Sequence, residues 1–400
     1  MRTAEAVAWW AAAGSVLLTG WRGRSAAARL AAGADAPSVD PTDVTVLVPI
    51  RSGDPLLAAS LAASVRTLAP ARVELLVDED DPDGIAAADQ AACSQAHVRV
   101  LRCAPPPPGV NPKVHKLIAH AAAAPGPVAL IDDDTVLPPR GLARLRGALG
   151  AVTALGGRGT EGADGADGGL VTGLPRYREQ GGPWSRLVAA FVNGSAALTY
   201  LPLADDPVTV NGMVLLIDRG TLDRIGGLGV IAGATCDDYA LARAVRAAGG
   251  RIVQTTQWAE VATTVSGPGE YLRLMRRWLL FGTEVIRHDG TPRVLAAAVL
   301  PAALPTVGLT AAALARSPRA TAGVLGAVLA GAAVACRLTG GPRSGAALLP
   351  VAALLTPVLT LAAVLGPRRV RWRGRSVVVG SGFLTPRDRD AATRAEGARR

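Results

Sequence analysis

The chain has 400 residues, half of them apolar but only 4% aromatic, and carries a formal charge of +10. This positive excess favours an anionic partner such as a membrane lipid, a phosphorylated substrate or a nucleic acid. Nucleic acid is not expected, because the sequence has no stripes of alternating aromatic and basic residues typical of single-strand binders. Long apolar runs near the C-terminus favour membrane lipid and phosphate instead.

The four cysteines (Cys93, Cys103, Cys236 and Cys336) are scattered and form no CxxC pair. They are predicted to be free thiols in a reducing compartment, and neither a zinc site nor a disulfide framework is expected.

The first segment, Ala6–Trp21, is apolar, with tryptophans near both ends and arginines after it. Small residues downstream would also suit a signal peptide. However, positive charge follows the run instead of preceding it, and tryptophans at both ends are typical of a membrane interface. We therefore predict an uncleaved anchor over residues 1–22 with its C-terminal side in the cytoplasm, followed by a linker over residues 23–43.

Strands and helices alternate from residue 44 onward. The apolar runs and their spacing predict strands at Val44–Val48, Val73–Val77, Val98–Arg102 and from Val128, separated by helices at Asp54–Leu68, Gly84–Ser94 and Lys113–Ala124. Such alternation with short connections predicts an α/β fold with a doubly wound, mostly parallel sheet, in one domain over residues 44–265.

Acidic residues follow two of the predicted strands. Asp78–Asp81 end the second strand, and Asp132, Asp133 and Asp134 follow the fourth. Ligands of open α/β sheets bind at the carboxyl ends of strands, and Mg²⁺ is usually held by one or two carboxylates together with phosphate oxygens and waters. The pattern predicts a metal–diphosphate site; a solvated acidic turn at the next helix is the alternative.

Two lysines, Lys113 and Lys116, are the only ones in the chain and lie in one hexapeptide at a predicted helix start. A compact ammonium beside a helix N-terminus suits a phosphate group. A solvated helix start is the alternative interpretation.

The second half of this domain is predicted to contain a low-complexity surface loop, Gly156–Gly169, before further strands and helices. These are a strand at Leu170–Leu174, a helix at Trp184–Leu198, a turn and strand at Val208–Leu216, and a short helix at Asp218–Ile225.

Thr235 begins a predicted helix that runs to Ala248. Thr235 could be the N-cap, and Asp238, three residues later, could accept the backbone N–H of Thr235 in a capping box. Alternatively, Asp238 could act as a general base whose proton affinity is raised by neighbouring acids. Spacing alone favours the cap.

The C-terminal part is predicted to be membrane-associated. Tyr271–His288, within residues 266–292, forms a basic amphipathic helix typical of a membrane surface, although its arginines could instead hold a leaving diphosphate. Apolar segments follow within residues 293–366, at Val294–Ala315, Ala320–Ala335 and Gly345–Leu365. The middle segment, at about 1.5 Å per residue, reaches only about 24 Å and is marginal for a crossing.

Arginines in residues 367–400 predict a cytoplasmic tail. Three complete crossings from a cytoplasmic domain would place that tail outside. We therefore expect one segment to be re-entrant or interfacial, either the short middle one or the first, which Pro301 and Pro305 interrupt.

The order of these pieces resembles the lipid-directed and processive family-2 glycosyltransferases. It is most similar to the ceramide glucosyltransferase-like group that includes hopanoid-associated glycosyltransferases. The resemblance covers about Val44–Trp278 and Trp372–Arg375. Asp132 and Asp134 match the DxD motif of that family, and Asn111–Val114 matches its Asn-Pro-Lys-Val segment.

Three further motifs carry the resemblance. The first family aspartate matches the Asp78–Asp81 cluster, with Asp81 the best-placed residue. Asp237-Asp238-Tyr239 matches the Glu-Asp-Tyr base motif, with Asp in place of Glu. Arg277-Trp278 matches the end of the (Q/R)xxRW motif, but Leu274 occupies its first position, so Arg273 or Arg276 would have to substitute.

The resemblance implies a GT-A-like fold, a nucleotide-sugar donor (a UDP-sugar by preference), Mg²⁺ or Mn²⁺, and a lipid hydroxyl acceptor on a ceramide-, hopanoid- or polyprenol-like molecule. It implies inversion at the anomeric carbon and a multi-pass protein of the cell membrane with a cytoplasmic catalytic domain. The implied roles are donor binding by Asp78, Asp81, Lys113, Asp132, Arg276, Arg277 and Trp278, metal binding by Asp132 and Asp134, and general-base catalysis by Asp238.

Two other functions remain open. A processive polysaccharide synthase would need a channel, for which the membrane segments are few. A non-catalytic membrane protein, whose acids only cap helices, would show no metal-dependent hydrolysis of a nucleotide sugar.

Overall fold

A computed structural model describes residues 2–33, 37–156, 168–178, 181–340, 347–372 and 375–379. Most of the predicted loop Gly156–Gly169, part of the Trp372–Arg375 match and the tail beyond residue 379 lie outside the described residues. The chain divides into two compact units. The α/β unit comprises residues 35–175, 206–264 and 371–400, and the helical unit comprises residues 1–34, 176–205 and 265–370.

Eight strands of the α/β unit form one sheet in the order β3-β2-β1-β4-β7-β6-β8-β5. The strands are β1 (Thr45–Ile50), β2 (Arg72–Asp78), β3 (Val98–Cys103), β4 (Val128–Ile131), β5 (Thr135–Val136), β6 (Gly169–Tyr177), β7 (Val214–Ile217) and β8 (Arg251–Val261). Strands β1 to β4 are parallel, with Val46 paired to both Val73 and Ala129. β7 then runs antiparallel to β4. The predicted α/β fold class with a mostly parallel sheet is confirmed.

Helices connect these strands and cover both faces of the sheet. They are α2 (Leu57–Leu68), α3 (Pro82–Ala92), α4 (Pro112–Ala123), α5 (Gly141–Gly156), α7 (Arg219–Arg224) and α8 (Asp237–Ala247). Successive strand residues point to opposite faces, so Val46 packs in a core with Leu61 of α2, whereas Leu47 packs in a core with Leu117 of α4 and Leu241 of α8. Helices α4 and α8 therefore share one face of the sheet.

The strand β8 was missed in the sequence. Its residues alternate between buried and more exposed positions, as expected of a strand. However, Gln254 and Gln257 occupy two of the buried positions and obscure the apolar pattern. The buried side chain of Gln254 donates hydrogen bonds to the carbonyl oxygens of Thr172 (3.1 Å) and Gly173 (2.9 Å), which satisfies its amide in the core.

The helical unit contains α1 (Arg2–Gly33), α6 (Pro183–Ser195), α9 (Pro268–Asp289), α10 (Pro292–Leu314), α11 (Pro318–Thr339) and α12 (Leu348–Leu365). Among the described residues, α10, α11 and α12 are long and apolar enough to cross a membrane. The prediction that the middle segment is marginal in length was wrong, because its helix extends beyond the apolar run at both ends. Helix α1 is not among these three, and it continues well into the predicted linker.

The division into two units differs in its boundaries from the predicted domain over residues 44–265. Residues 176–205 belong to the helical unit, where Trp184 packs against Tyr271 of α9 with ring centroids 5.6 Å apart. Asn193 of α6 fixes the preceding chain by hydrogen bonds with the backbone N–H (2.8 Å) and carbonyl (3.0 Å) of Tyr177. These contacts join segments that are far apart in the sequence, so no local pattern indicates them.

Candidate active site

The acidic residues predicted at the strand ends gather at one edge of the α/β unit. They follow β2 and β4, and the loop after β1 joins them through its backbone. Its N–H groups at Arg51 and Ser52 donate to Asp133 (2.7 Å) and Asp81 (2.8 Å). This contribution of the β1 loop was not predicted, because backbone N–H groups leave no signal in the sequence other than the end of a strand.

Asp78, the last residue of β2, is buried and paired with two cations. Its Oδ2 atom lies 2.8 Å from Nζ of Lys116 and 3.3 Å from Nη1 of Arg51. Lys116 is itself only 2% exposed and donates a second hydrogen bond to the carbonyl oxygen of Ile50 at 2.6 Å. Lys116 therefore ties β1 to β2 inside the protein and is not placed to bind a phosphate.

Asp78 and Asp81, the two predicted donor-binding residues after β2, differ in their hydrogen-bond partners. Both oxygens of Asp81 accept backbone hydrogen bonds, from Ser52 and from Gly84 (3.1 Å), as the N-cap of α3. Burial alone would raise the pKa of Asp81, but these hydrogen bonds and the charge of Arg51 lower it below its usual value. Asp78, in contrast, has a buried Oδ1 atom with no hydrogen-bond partner among the described residues.

The three carboxylates after β4 have different partners. Asp132 pairs with Lys113, Asp133 accepts the N–H of Arg51, and Asp134 accepts hydrogen bonds from the hydroxyls of Thr135 (3.1 Å) and Thr263 (2.6 Å). Burial, followed by the charges of Asp132 and Asp133, raises the pKa of Asp134 to about 7.

The three carboxylates after β4 are chemically suited to bind a divalent cation. Their oxygens are hard ligands. Burial raises the pKa of Asp134 most, and the charges of Asp132 and Asp133 raise it further; a bound cation would offset those charges. Within the described ranges, no group of three or more histidine, cysteine, aspartate and glutamate residues forms a metal cage. A metal held by Asp132 and Asp134 would therefore need further oxygens from a ligand or water, as Mg²⁺ commonly does.

Lys113 connects the cluster to the start of α8. Its Nζ atom lies 2.6 Å from Asp132 and 3.5 Å from Asp237, and it donates to the carbonyl oxygen of Gly212 at 3.1 Å. The side chain is nearly buried, and Asn111 caps its helix by accepting the N–H of Lys113 at 2.9 Å. The DxD-like and base-motif segments, distant in the sequence, are thus brought together.

The start of α8 does not form the predicted capping box. The helix begins at Asp237 with Cys236 as the N-cap, and Cys236 makes no side-chain capping hydrogen bond. Asp238 accepts hydrogen bonds at Oδ1 from the N–H of Tyr239 (2.8 Å) and from the thiol of Cys236 (2.9 Å). Burial and the charge of Asp237 raise the pKa of Asp238, as would suit a general base.

The predicted donor residues of α9 belong to the helical unit. Arg276 donates hydrogen bonds to the carbonyl oxygens of Pro367 and Arg369 (3.1 Å), and so fastens the chain that follows α12. Trp278, beside Arg277, packs edge-on against Tyr177 at 6.2 Å and stacks on Phe191 at 6.4 Å, measured between ring centroids. Donor binding by Arg276, Arg277 and Trp278 stays a prediction.

Comparison with known families identifies the class of enzyme. The sequence model of glycosyl transferase family 21 matches residues 7–384. The chain belongs to glycosyl transferase family 21. This is the ceramide glucosyltransferase-like family, so the predicted glycosyltransferase activity is confirmed and a non-catalytic membrane protein no longer fits.

Solved structures similar to this family 21 chain are distant in sequence. A mannosyltransferase from Pyrobaculum calidifontis, in complex with GDP-Man and Mn²⁺, is 21% identical, with 89% of this chain and 98% of that chain covered and a TM-score of 0.49. GalNAc-T7, with UDP, GalNAc and Mn²⁺, is 10% identical, with coverage of 65% and 52% and a TM-score of 0.39. No curated protein matches. Similarity at this level assigns no sugar, metal or acceptor to the family 21 chain.

Replacing Lys116 by methionine should destabilise the protein by roughly 3 to 5 kcal/mol, because the carboxylate of Asp78 would stay buried without its main cation. Thermal unfolding of the detergent-solubilised protein measures the effect. The double variant Lys116→Met/Asp78→Asn should recover much of the loss, since the uncompensated charge is removed. A single variant as stable as wild type would show that the pair contributes nothing to the fold.

Proposed function

We propose that this family 21 glycosyltransferase transfers a sugar from a nucleotide-sugar donor, preferably a UDP-sugar, to a hydroxyl group of a membrane lipid. The observation that carries the proposal is the position of Lys113 between Asp132 and Asp237. A carboxylate suited to a metal–diphosphate and the segment that carries a candidate base therefore meet around one side chain. Both groups are needed in one place for sugar transfer to a hydroxyl.

The donor end of the site would consist of the carboxylates after β2 and β4. Asp132 and Asp134 would hold Mg²⁺ or Mn²⁺, which when bound would stabilise the negative charge of the leaving diphosphate. Asp78 and Asp81 would recognise the nucleoside. Of these two, Asp78 keeps acceptor capacity at Oδ1, whereas Asp81 already uses both of its oxygens on the loop after β1 and on α3.

The acceptor end would use Asp238 as the general base. Its carboxylate would take the proton of the lipid hydroxyl while the hydroxyl oxygen attacks the anomeric carbon. The bond between that carbon and the diphosphate oxygen breaks on the opposite face, so the configuration inverts. The raised pKa of Asp238 increases its affinity for the proton, while the nearby charge of Lys113 helps to keep it ionised before the reaction.

A membrane arrangement with α1 as a further crossing helix accompanies this proposal. At the start of α1, Glu5 accepts a hydrogen bond from the hydroxyl of Ser317 (2.7 Å), in the turn between α10 and α11. Near its other half, Gly23 lies so close to α11 that an added Cβ would be 2.8 Å from Val334. The helix therefore runs beside α11 along its length, and small residues permit such close packing within membranes.

Basic residues mark the opposite end of α1. Arg29 pairs with Asp205, which also pairs with Arg293 (3.3 Å) at the start of α10. The end of α1 and the start of α10 therefore lie at the same level of the helical unit. An excess of arginine there supports a cytoplasmic side.

Helix α12, in contrast, is proposed to lie in the membrane without crossing it. At its start, Leu349 lies next to Gly194 of α6, where an added Cβ would be 3.2 Å from the leucine. Just beyond its end, Arg368 pairs with Glu284 of α9. Because α6 and α9 pack on each other, both ends of α12 are held by the same helix pair. This favours α12 as the re-entrant segment, in place of the two segments that the sequence suggested.

The Asp134→Asn variant tests the metal assignment. It should lose turnover of the nucleotide-sugar donor, because a metal ligand is lost, while its thermal unfolding without metal stays close to that of wild type. Asp80→Asn, which removes an exposed acid of the cluster after β2, is the control and should stay active. Full activity of Asp134→Asn, or of wild type in excess EDTA, would contradict the assignment.

The Asp238→Asn variant separates catalysis from a purely structural role. Asn keeps the shape and can still accept the N–H of Tyr239 at its amide oxygen, but it cannot accept the proton, so turnover should fall by roughly 10²- to 10⁴-fold with donor affinity and thermal stability nearly unchanged. Asp237→Asn is the internal control and should lower turnover less than Asp238→Asn does. A stable Asp238→Asn enzyme with near-normal turnover would rule out Asp238 as the base.

The membrane arrangement is tested by labelling single cysteines in intact cells with an impermeant thiol reagent. Cysteines at Ser25 and Ser376 should be shielded, whereas one at Arg319, beside the turn between α10 and α11, should react. Wild type gives the background of the native thiols. Reaction at Ser376 would instead show that α12 crosses the membrane completely.

A further inference from the structure

The residue before α8, Cys236, contacts the candidate base directly. Cys236 is only 7% exposed, and its Sγ lies 2.9 Å from Oδ1 of Asp238. Burial and the charge of Asp238 raise the pKa of this thiol well above its usual value, so it stays protonated at neutral pH. A protonated thiol is a hydrogen-bond donor, and neither a nucleophile nor a metal ligand.

The two oxygens of Asp238 are used unequally. Oδ1 accepts both the thiol of Cys236 and the N–H of Tyr239, whereas Oδ2 accepts no hydrogen bond from any residue in the described part of the chain. The backbone of Gly212 passes close to Oδ2, and an added Cβ there would lie 3.2 Å from it. The absence of a side chain at Gly212 thus leaves room beside the oxygen without a partner.

The charges around Asp238 come from three sides. Asp237, on the same helix, and burial favour the protonated carboxyl, whereas the Cys236 thiol, the N–H of Tyr239 and the ammonium of Lys113 from α4 favour the carboxylate. Loss of the thiol donor would therefore make Asp238 bind its proton more tightly and leave Oδ1 with one donor instead of two.

We propose that Cys236 is a positioning residue for Asp238: its thiol holds Oδ1 and turns Oδ2 toward the hydroxyl of the acceptor. The proposal rests on the assignment of Asp238 as the base. No atom of Cys236 enters the reaction, since the proton passes from the acceptor hydroxyl to Asp238 alone. A hydroxyl at this position should serve as well as the thiol, whereas a methyl group should not.

The test compares the pH dependence of kcat in Cys236→Ala and Cys236→Ser, at saturating donor, acceptor and divalent metal. In Cys236→Ala the acid limb should move to higher pH by about half a unit to one unit, which lowers kcat about three- to tenfold below that limb. The KM for the donor should not change. Cys236→Ser should keep the limb of wild type, because serine still donates to Oδ1. Cys93→Ala, which removes an exposed thiol, is the control.

The proposal is overturned if Cys236→Ala keeps the pH profile and kcat of wild type, or if Cys236→Ser is impaired as much as Cys236→Ala. In the Asp238→Asn background, Cys236→Ala should have no further effect, and an additive loss would also contradict the proposal. Failure of the proposed function would look different, because Asp238→Asn would then keep near-normal turnover.

Discussion

The repulsion among carboxylates at the strand ends is the constraint on which this site depends. Aspartates at the ends of β2 and β4 cannot all stay ionised in a half-buried setting without positive charge nearby. The two lysines of the chain supply it from successive turns of α4. Lys116 neutralises Asp78 inside the protein, and Lys113 neutralises Asp132 at the edge of the site. Within the described residues, the side chain of Asp134 accepts hydrogen bonds only from two hydroxyls, and burial together with the charges of Asp132 and Asp133 raises its pKa.

The arrangement of helices on the sheet explains how α4 brings its two lysines to the aspartates. Since α4 and α8 cover the same face, the first turn of α4 lies beside the first turn of α8, and Lys113 reaches acids from β4 and α8 together. Asp134 has no cationic side chain among its hydrogen-bond donors in the described residues, and a divalent cation bound there would supply positive charge. Binding of the metal together with the donor would thus offset carboxylate charge that the lysines do not offset.

Much of this fold could be predicted from local pattern. The strands β1 to β4 are short apolar runs that end in polar residues, and their alternation with helices is sufficient to indicate a parallel sheet. The strand β8 could not be recognised, because its inward positions include the buried Gln254 and Gln257, and the hydrogen bonds that accommodate Gln254 are not revealed by any sequence pattern. The acidic cluster could be recognised, because several carboxylates at the end of a buried strand repel one another unless a cation or a ligand stabilises them.

The partners within the site could not be predicted. The choice between capping and catalysis at Asp238 depends on where the helix begins, and that is fixed by the backbone at Cys236 and not by residue spacing. The lysines were expected to meet phosphates, whereas Lys116 is fully occupied by Asp78 and Ile50. The membership of residues 176–205 in the helical unit likewise depends on aromatic packing against α9, which joins distant segments.

The most direct test of the central claim is the binding of Mn²⁺ to the purified protein, measured by electron paramagnetic resonance with and without UDP. If Asp132 and Asp134 form a metal–diphosphate site, one Mn²⁺ per chain should bind in the presence of UDP, and binding should be much weaker without it because the protein alone offers too few ligands. The Asp132→Asn variant should lose this bound Mn²⁺. Mn²⁺ that binds equally to wild type and Asp132→Asn, or that ignores UDP, would contradict the account.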